Sequence, residues 1–325
     1  MSYKLEDNVE EVASKLGFPE GPVAMDDGSI LFVDIEYQTL MQLHPDGTLE
    51  EIATLPGGPN GLAIGPDGAA YVCNNGGVYG FAKMDPSAPP GSGRKANPAR
   101  VVNVPIPMNP KYQGGEIQRV DLKTKEVTTL YCKYKGKCLI APDDIVFDKK
   151  NGGFWFTDTG TVHAEGSDFG AVYYATIDGQ TLEKVASIPT PNGIGISPDG
   201  DTLYVSDTSF GRLWAMNIVG AGKVEPGPLV GMPGKVIQTL DGYQWLDSLK
   251  VEADGRVCVG TLITGGISIF SLDGAVEHLE LPDPFTTNLC FGGEDMRDVW
   301  ITASGTQKIY KTRWPRPGLK LAYTA

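Results

Sequence analysis

The stretch "TPNGIGISPDGDTLYVSDT" (Thr190–Thr208) has an earlier counterpart in "GPNGLAIGPDGAAYVCNN" (Gly58–Asn75). Each reads Pro-Asn-Gly, a short apolar run, Pro-Asp-Gly and then a Tyr-Val strand. Apolar runs joined across an Asp-Gly turn are the pattern of a β-hairpin. Four further segments share the polar residue, the apolar strand and the second strand, often with the Asp-Gly turn between: "GFPEGPVAMDDGSILFVDIE" (Gly17–Glu36), "APDDIVFDKKNGGFWFTDTG" (Ala141–Gly160), "WLDSLKVEADGRVCVGTLITGG" (Trp245–Gly266) and "TTNLCFGGEDMRDVWITAS" (Thr286–Ser304). Aligned on the polar residue ahead of the first apolar run, they place Glu20, Asn60, Asp143, Asn192, Asp247 and Asn288 in register. The steps between these heads are 40, 83, 49, 55 and 41 residues. Four of the five fit one four-stranded unit of roughly 40–50 residues, the repeat size of a propeller blade. The long step holds an insertion.

Between the repeated phrases lie second hairpins: Thr39–Leu55, Gly115–Tyr131, Gly170–Ser187 and Gly266–Leu281. The expected fold is therefore all-β: a six-bladed β-propeller of four-stranded antiparallel blades around a central channel. Residues 1–325 are expected to form a single domain, with a lid-like insertion at 84–115. The segment Gln307–Gly318 is expected to close the ring beside the N-terminal residues. A helix is expected only over Asn8–Lys15.

Inner strands of a propeller line its channel, so six equivalent heads form one ring at one level. Every member is a carboxylate or a carboxamide. Such residues also serve as plain turn formers. Six in register, three of them acidic, point instead to a cation that neutralises them. Oxygen donors without His or Cys suit a hard ion, and calcium is the first choice.

The remaining composition narrows the partners. The chain carries a net charge of −13 and shows no basic stripe, which argues against nucleic acid. Hydrophobic content of 41% with 21% charged residues is globular. The acidic start lacks the apolar core of a signal peptide, and no run approaches the ~18 apolar residues of a membrane span. A cytoplasmic protein with no membrane partner is expected. Its five cysteines are expected as free thiols. Oligomeric state is not legible.

The segments at Phe18 ("FPEGPV"), Ala141 ("APDDIVFD"), Thr190, Leu246 ("LDSLKVEADGRVCVG") and Thr286 ("TTNLCFGG") together resemble the gluconolactonase/senescence-marker-protein (regucalcin) family of calcium-dependent six-bladed propellers. The resemblance covers nearly the whole chain. It implies a metal held by Glu20, Asn192 and Asp247, with Asp143, where the family usually carries Asn, as a further ligand. Ser248 is implied as an extra ligand or substrate contact. Zinc, manganese and magnesium can replace calcium in such sites. Cys290 stands where squid-type phosphotriesterases carry a His for a second calcium, which puts such a site in doubt. Of the three histidines, His44 and His278 fall in outer hairpins, and His163 is a candidate for the channel mouth.

The resemblance implies a small-molecule lactone as substrate, opened by water. The cation would polarise the carbonyl and a carboxylate would take the proton, with Asp247 or Asp143 as base. Asn60 and Asn288 are expected to contact substrate, as are Tyr112 and Gln113 from the insertion. Thr157–Gly160 and Ser206–Thr208 are expected near the mouth. No Gly-x-Ser-x-Gly is present, which counts against an α/β-hydrolase route. Two alternatives stay open: a phosphotriester hydrolase on the same ring, and a non-catalytic calcium-binding propeller. A strictosidine-synthase-like propeller fits less well.

Overall fold

A computed structural model describes residues 8–324. The acidic start Met1–Asp7 and the last residue, Ala325, lie outside the described residues. Six antiparallel sheets succeed one another around a central channel, five of them four-stranded and the fourth carrying the short strand Lys223–Val224 in addition to its four. Blade 1 runs Pro19–Ala24, Ile30–Asp34, Thr39–Leu43 and Leu49–Thr54 from channel to rim. The innermost strands of the next five blades are Pro59–Ile64, Pro142–Phe147, Pro191–Ile196, Trp245–Val251 and Thr286–Gly292. The four expected outer hairpins are all present.

Ring closure follows the expected route, with one correction. Lys308–Arg313 is the third strand of blade 6, and Val9–Ser14 completes that blade as its outermost strand. The helix expected over Asn8–Lys15 is thus a strand. Its helix-like spacing of Val9 and Val12 is overridden by an open sheet edge whose backbone groups need partners. The Lys308 Nζ, 2.7 Å from Glu11 Oε2, reinforces the pairing. Among the described residues no helix is long and apolar enough to cross a membrane.

Strand alternation explains the packing. Side chains of one strand point to opposite sheet faces, and here each face meets a different neighbouring blade. Leu31 and Val33 pack against blade 2, while Ile30 and Phe32 pack against blade 6. Phe154 and Phe156 enter the seam between blades 2 and 3, and Trp155 the seam between blades 3 and 4. Both faces are buried, so the second strands read as continuous apolar runs. Each buried aliphatic or aromatic side chain contributes about 1.5–3 kcal/mol. One seam therefore outweighs the few kcal/mol that an uncompensated polar group in the channel costs.

The innermost strand of every blade breaks register at its head: between Glu20 and Val23, Pro59 and Leu62, Pro142 and Ile145, Pro191 and Ile194, Leu246 and Leu249, and Thr286 and Asn288. A bulge re-aims one side chain. Five bulges at one level turn Glu20, Asn60, Asp143, Asn192 and Asp247 toward the channel; in blade 6 the equivalent place is Thr287, and Asn288, paired with Thr302, stands one residue past the register expected for it. The glycine after the head has a separate cause. A Cβ on Gly193 would stand 2.5 Å from the amide nitrogen of Leu249 and 2.7 Å from the carbonyl oxygen of Asp247. Gly21 would overlap Asn60 in the same way, and Gly61 would overlap Asp143. Pro-Asn-Gly thus combines a head for the channel with a gap for the next blade.

At the other end of the channel the C-terminal segment crosses the opening. Glu252 Oε1 accepts from Trp314 Nε1 at 2.8 Å, and Oε2 accepts from Arg316 Nε at 2.5 Å. Beyond this clasp, Leu319 packs into the seam between blades 4 and 5 and Leu321 into that between blades 1 and 2. Tyr323 meets Phe147 edge-on, with ring centroids 5.6 Å apart. A cavity of about 400 Å³ lies between this segment and the channel walls.

Candidate active site

The heads open into a cavity of about 290 Å³ at the mouth of the channel. Glu20, Asn60, Asp143, Asn192 and Asp247 line it. All five are nearly buried within the protein. Glu20 Oε2 accepts from the Gly21 amide at 2.5 Å and from Asn288 Nδ2 at 2.8 Å. Asp143 Oδ2 accepts from Asn60 Nδ2 at 3.0 Å, while Asp143 Oδ1 is buried with no partner. Ser248 Oγ lies 3.4 Å from Asn192 Oδ1.

Burial pushes the Glu20 carboxyl up to about 7, and the charge of Asp144 adds to the rise. The hydrogen bonds from Asn288 and Gly21 pull the other way. Burial also raises Asp143 well above the usual range, with further contributions from the charges of Glu20 and Asp144. Asp247 rises for the same reason, helped by Glu20 and Asp143. The three carboxylates therefore oppose one another's ionisation.

A second layer supports the ring. Lys250 Nζ donates to Asn288 Oδ1 at 3.1 Å and to the Leu249 carbonyl at 3.0 Å, and stands 3.9 Å from Asp144 Oδ2. Asn288 is fully buried and outside the cavity lining, so it orients Glu20 from behind. Ser248 likewise sits behind the lining. Tyr112 and Gln113 are elsewhere: the Tyr112 hydroxyl donates to the Ile140 carbonyl at 2.7 Å, and neither residue lines the cavity. His163 is exposed and lies 2.9 Å from Asp168, beside the lining rather than in it. His44 and His278 are bonded within outer hairpins.

The insertion contributes through residues that sequence reading passed over. It departs after Ala70–Asn74, returns at Glu116, and folds Gly80–Met84 against Val102–Ile106. Asn103 Nδ2 bonds Glu36 at 2.6 Å and the Gly17 carbonyl at 3.2 Å, and Lys83 bonds Gln307 at 2.8 Å. These bonds fasten the hairpin to blade 1 and to the turn before the third strand of blade 6. It delivers Tyr79, Phe81, Pro105 and Pro107 to the cavity. The Tyr79 phenol stays protonated, held up by burial and by the charges of Asp143 and Asp247. The signal for Tyr79 was its place in "NNGGVYGF", where the chain leaves blade 2 on the side of the heads.

In "TDTG" and "SDT" the acids hold turns, the second threonine of the first and the threonine of the other face the cavity, and Thr157 is buried with its hydroxyl donating to the Asn192 carbonyl at 2.5 Å. Asp158 accepts from the Ile140 and Ala141 amides, each at 2.8 Å, and Asp207 accepts from Thr190 Oγ1 at 2.8 Å. Asp34 does the same for Gly17 and Phe18. Each acid fixes the chain two or three residues ahead of a head. Thr159 and Thr208 line the cavity.

The donor set suits a hard divalent cation. Three buried carboxylates share the cavity floor, one buried oxygen has no partner, and among the described residues no Lys, Arg or His lines the space. Among the described residues no three His, Cys, Asp or Glu side chains are spaced to hold an ion by themselves. A cation here would draw on the Asn carbonyls as well, which hard oxygen-seeking ions accept.

Fold and site together define a six-bladed propeller with an acid-and-amide centre at one mouth of its channel. The chain belongs to the SMP-30/gluconolactonase/LRE-like family, whose pattern it matches over residues 18–305. It is 27% identical to a gluconolactonase of Zymomonas mobilis over 323 residues, covering 91% of this chain and 79% of that one. It is 28% identical to the diisopropyl-fluorophosphatase of Loligo vulgaris over 159 residues, 47% of this chain and 48% of the other. Among solved structures, a gluconolactonase of Xanthomonas campestris superposes with a TM-score of 0.70 at 20% identity, covering 96% of this chain and 91% of its own. The calcium-binding protein regucalcin of Agrobacterium tumefaciens gives 0.68 at 18%, covering 97% of each.

Proposed function

We propose that this protein is a hydrolase that opens lactones with water, using the ring of heads as its centre and a divalent cation, calcium in the first instance, as cofactor. The observation that carries the reading is the set of buried carboxylates Glu20, Asp143 and Asp247 around one cavity, with Asp143 Oδ1 left unpartnered. Kinship with a gluconolactonase over 91% of the chain supports the substrate class.

Glu20, Asn192 and Asp247 would hold the cation. Bound there, it would polarise the lactone carbonyl and offset the charge developing on its oxygen. Asp143 is the base. Asn60 holds its Oδ2, and the free Oδ1 takes the proton from the attacking water. Water adds to the carbonyl carbon, the ring C–O bond breaks, and Asp143 returns the proton to the departing alkoxide. In the metal-free protein burial raises the Asp143 carboxyl, the direction that strengthens a base. Asn288, oriented by Lys250, keeps Glu20 turned to the cavity.

The test is pH-stat hydrolysis of δ-gluconolactone and γ-butyrolactone by chelator-treated protein with and without added calcium. Turnover that needs the cation and falls at least a hundredfold in Asp143→Asn supports the assignment. Turnover indifferent to both Asp143→Asn and Asp247→Asn would overturn it.

A further inference from the structure

We propose that the cavity selects neutral lactones that carry an apolar arm, rather than sugar lactones or lactones bearing an acid group. The inference rests on the lactonase reading above and names the substrate class of that site.

The cavity has two unlike walls. One is built from Phe18, Ile35, Phe81, Trp245, Leu262 and Phe285. Phe18, Ile35, Leu262 and Phe285 are nearly buried and pack as one cluster, with Phe81 and Trp245 partly buried against it. The Phe18 ring lies 5.2 Å from Phe81 and 6.2 Å from Phe285, centroid to centroid. The insertion hairpin that supplies Phe81 is bonded at Asn103 and Lys83, so the wall stands in place before any ligand arrives. The other wall carries the hydroxyls of Thr159, Thr161, Thr190, Thr208 and Ser209.

A lactone whose carbonyl faces the carboxylates has its substituent along one of these walls. Against the aromatic wall an alkyl arm loses water and gains contact. A polyol there would lose water from hydroxyls that find no partner, which is unfavourable. An anionic substituent fares worse against that wall, because among the described residues no Lys, Arg or His lines the cavity to replace its lost water. The volume of about 290 Å³ is at the small end for ligand sites, so one ring with one short arm is the expected size.

The experiment uses the full chain supplied with calcium and compares kcat/KM for γ-butyrolactone, γ-octalactone (the same ring with a butyl arm) and δ-gluconolactone. Calorimetry in parallel compares the unsubstituted γ-lactam with its butyl derivative, both resistant to hydrolysis. Each sheltered methylene is worth about fourfold. γ-Octalactone is expected to exceed both other lactones by roughly tenfold or more. Phe81→Asn should cut the octalactone-to-butyrolactone ratio several-fold, and Phe81→Leu should retain it. Gluconolactone turned over as well as octalactone would overturn the inference and leave lactone hydrolysis standing. If no lactone is hydrolysed but the butyl lactam binds at least tenfold tighter than its parent, the hydrolytic reading falls and the wall's selectivity stands. Absence of both turnover and butyl preference would overturn the two together.

Discussion

Removing the cation should make the fold less stable as pH rises. Glu20, Asp143 and Asp247 all have carboxyls raised by burial and by one another. A group raised on folding contributes its full stability below its unfolded value, and that contribution is lost as pH climbs through the folded value. For Glu20 the interval runs from the usual 4.5 to about 7. At about 1.4 kcal/mol per pH unit, Glu20 alone removes roughly 3 kcal/mol by pH 8. In a chain of this length that is on the order of 5 °C in Tm. The carboxyls lowered on folding, such as Asp27 and Asp67, lose stability only on the acid side and are silent here. The assay is thermal unfolding of chelator-treated protein at steps from pH 5.5 to 8, repeated with calcium and with Glu20→Gln. The metal-free Tm should fall across this range, calcium should restore it most at the alkaline end, and Glu20→Gln should flatten the fall. A metal-free Tm that is level or rises from pH 5.5 to 8, or a slope unchanged by Glu20→Gln, would refute the reasoning.

Other consequences are as direct. Gly193→Ala should destabilise by about 2–3 kcal/mol, since its Cβ meets backbone of blade 5; urea unfolding measures this, and a neutral result would contradict the close approach. Arg316→Ala should cost about 3 kcal/mol by leaving the buried Glu252 short of its cation, and the double variant with Glu252→Gln should recover part of that loss. Lys250→Met should weaken calcium affinity measured by calorimetry about tenfold or more through misorientation of Asn288 and Glu20; affinity equal to that of the parent would mean the second layer is only packing.

The blades were legible because their signals are local. Apolar runs and glycine-containing turns recur in each unit, Asp-Gly in most of them, and five of the heads stand at fixed places relative to them. Glu20, Asn60, Asp143, Asn192 and Asp247 could be gathered from sequence for that reason: a repeat with rotational symmetry turns equal positions into neighbours. Tyr79 and Phe81 escaped because the insertion has no repeat to align with. Its placement depends on Asn103 reaching Gly17 and Glu36, contacts across 86 and 67 residues. Lys250 was hidden for another reason. Within "LDSLKV" it reads as an ordinary outward residue, and only the fold of the next blade brings Asn288 to its ammonium. The N-terminal strand was misread because its partner, Lys308–Arg313, comes from the far end of the chain.

The C-terminal segment that spans the lower opening has a bearing on traffic. Leu319, Leu321 and Tyr323 are seated in three places around that rim, and the cavity beneath them shares no lining residue with the site, which opens at the opposite mouth. Reactant and product share one doorway. Under the proposed reaction the opened lactone departs as a hydroxy acid through the cavity it entered by. The described walls offer that carboxylate no cationic side chain on the way out and none to draw it back in. The architecture therefore favours low affinity for what the reaction makes, and limits inhibition by product.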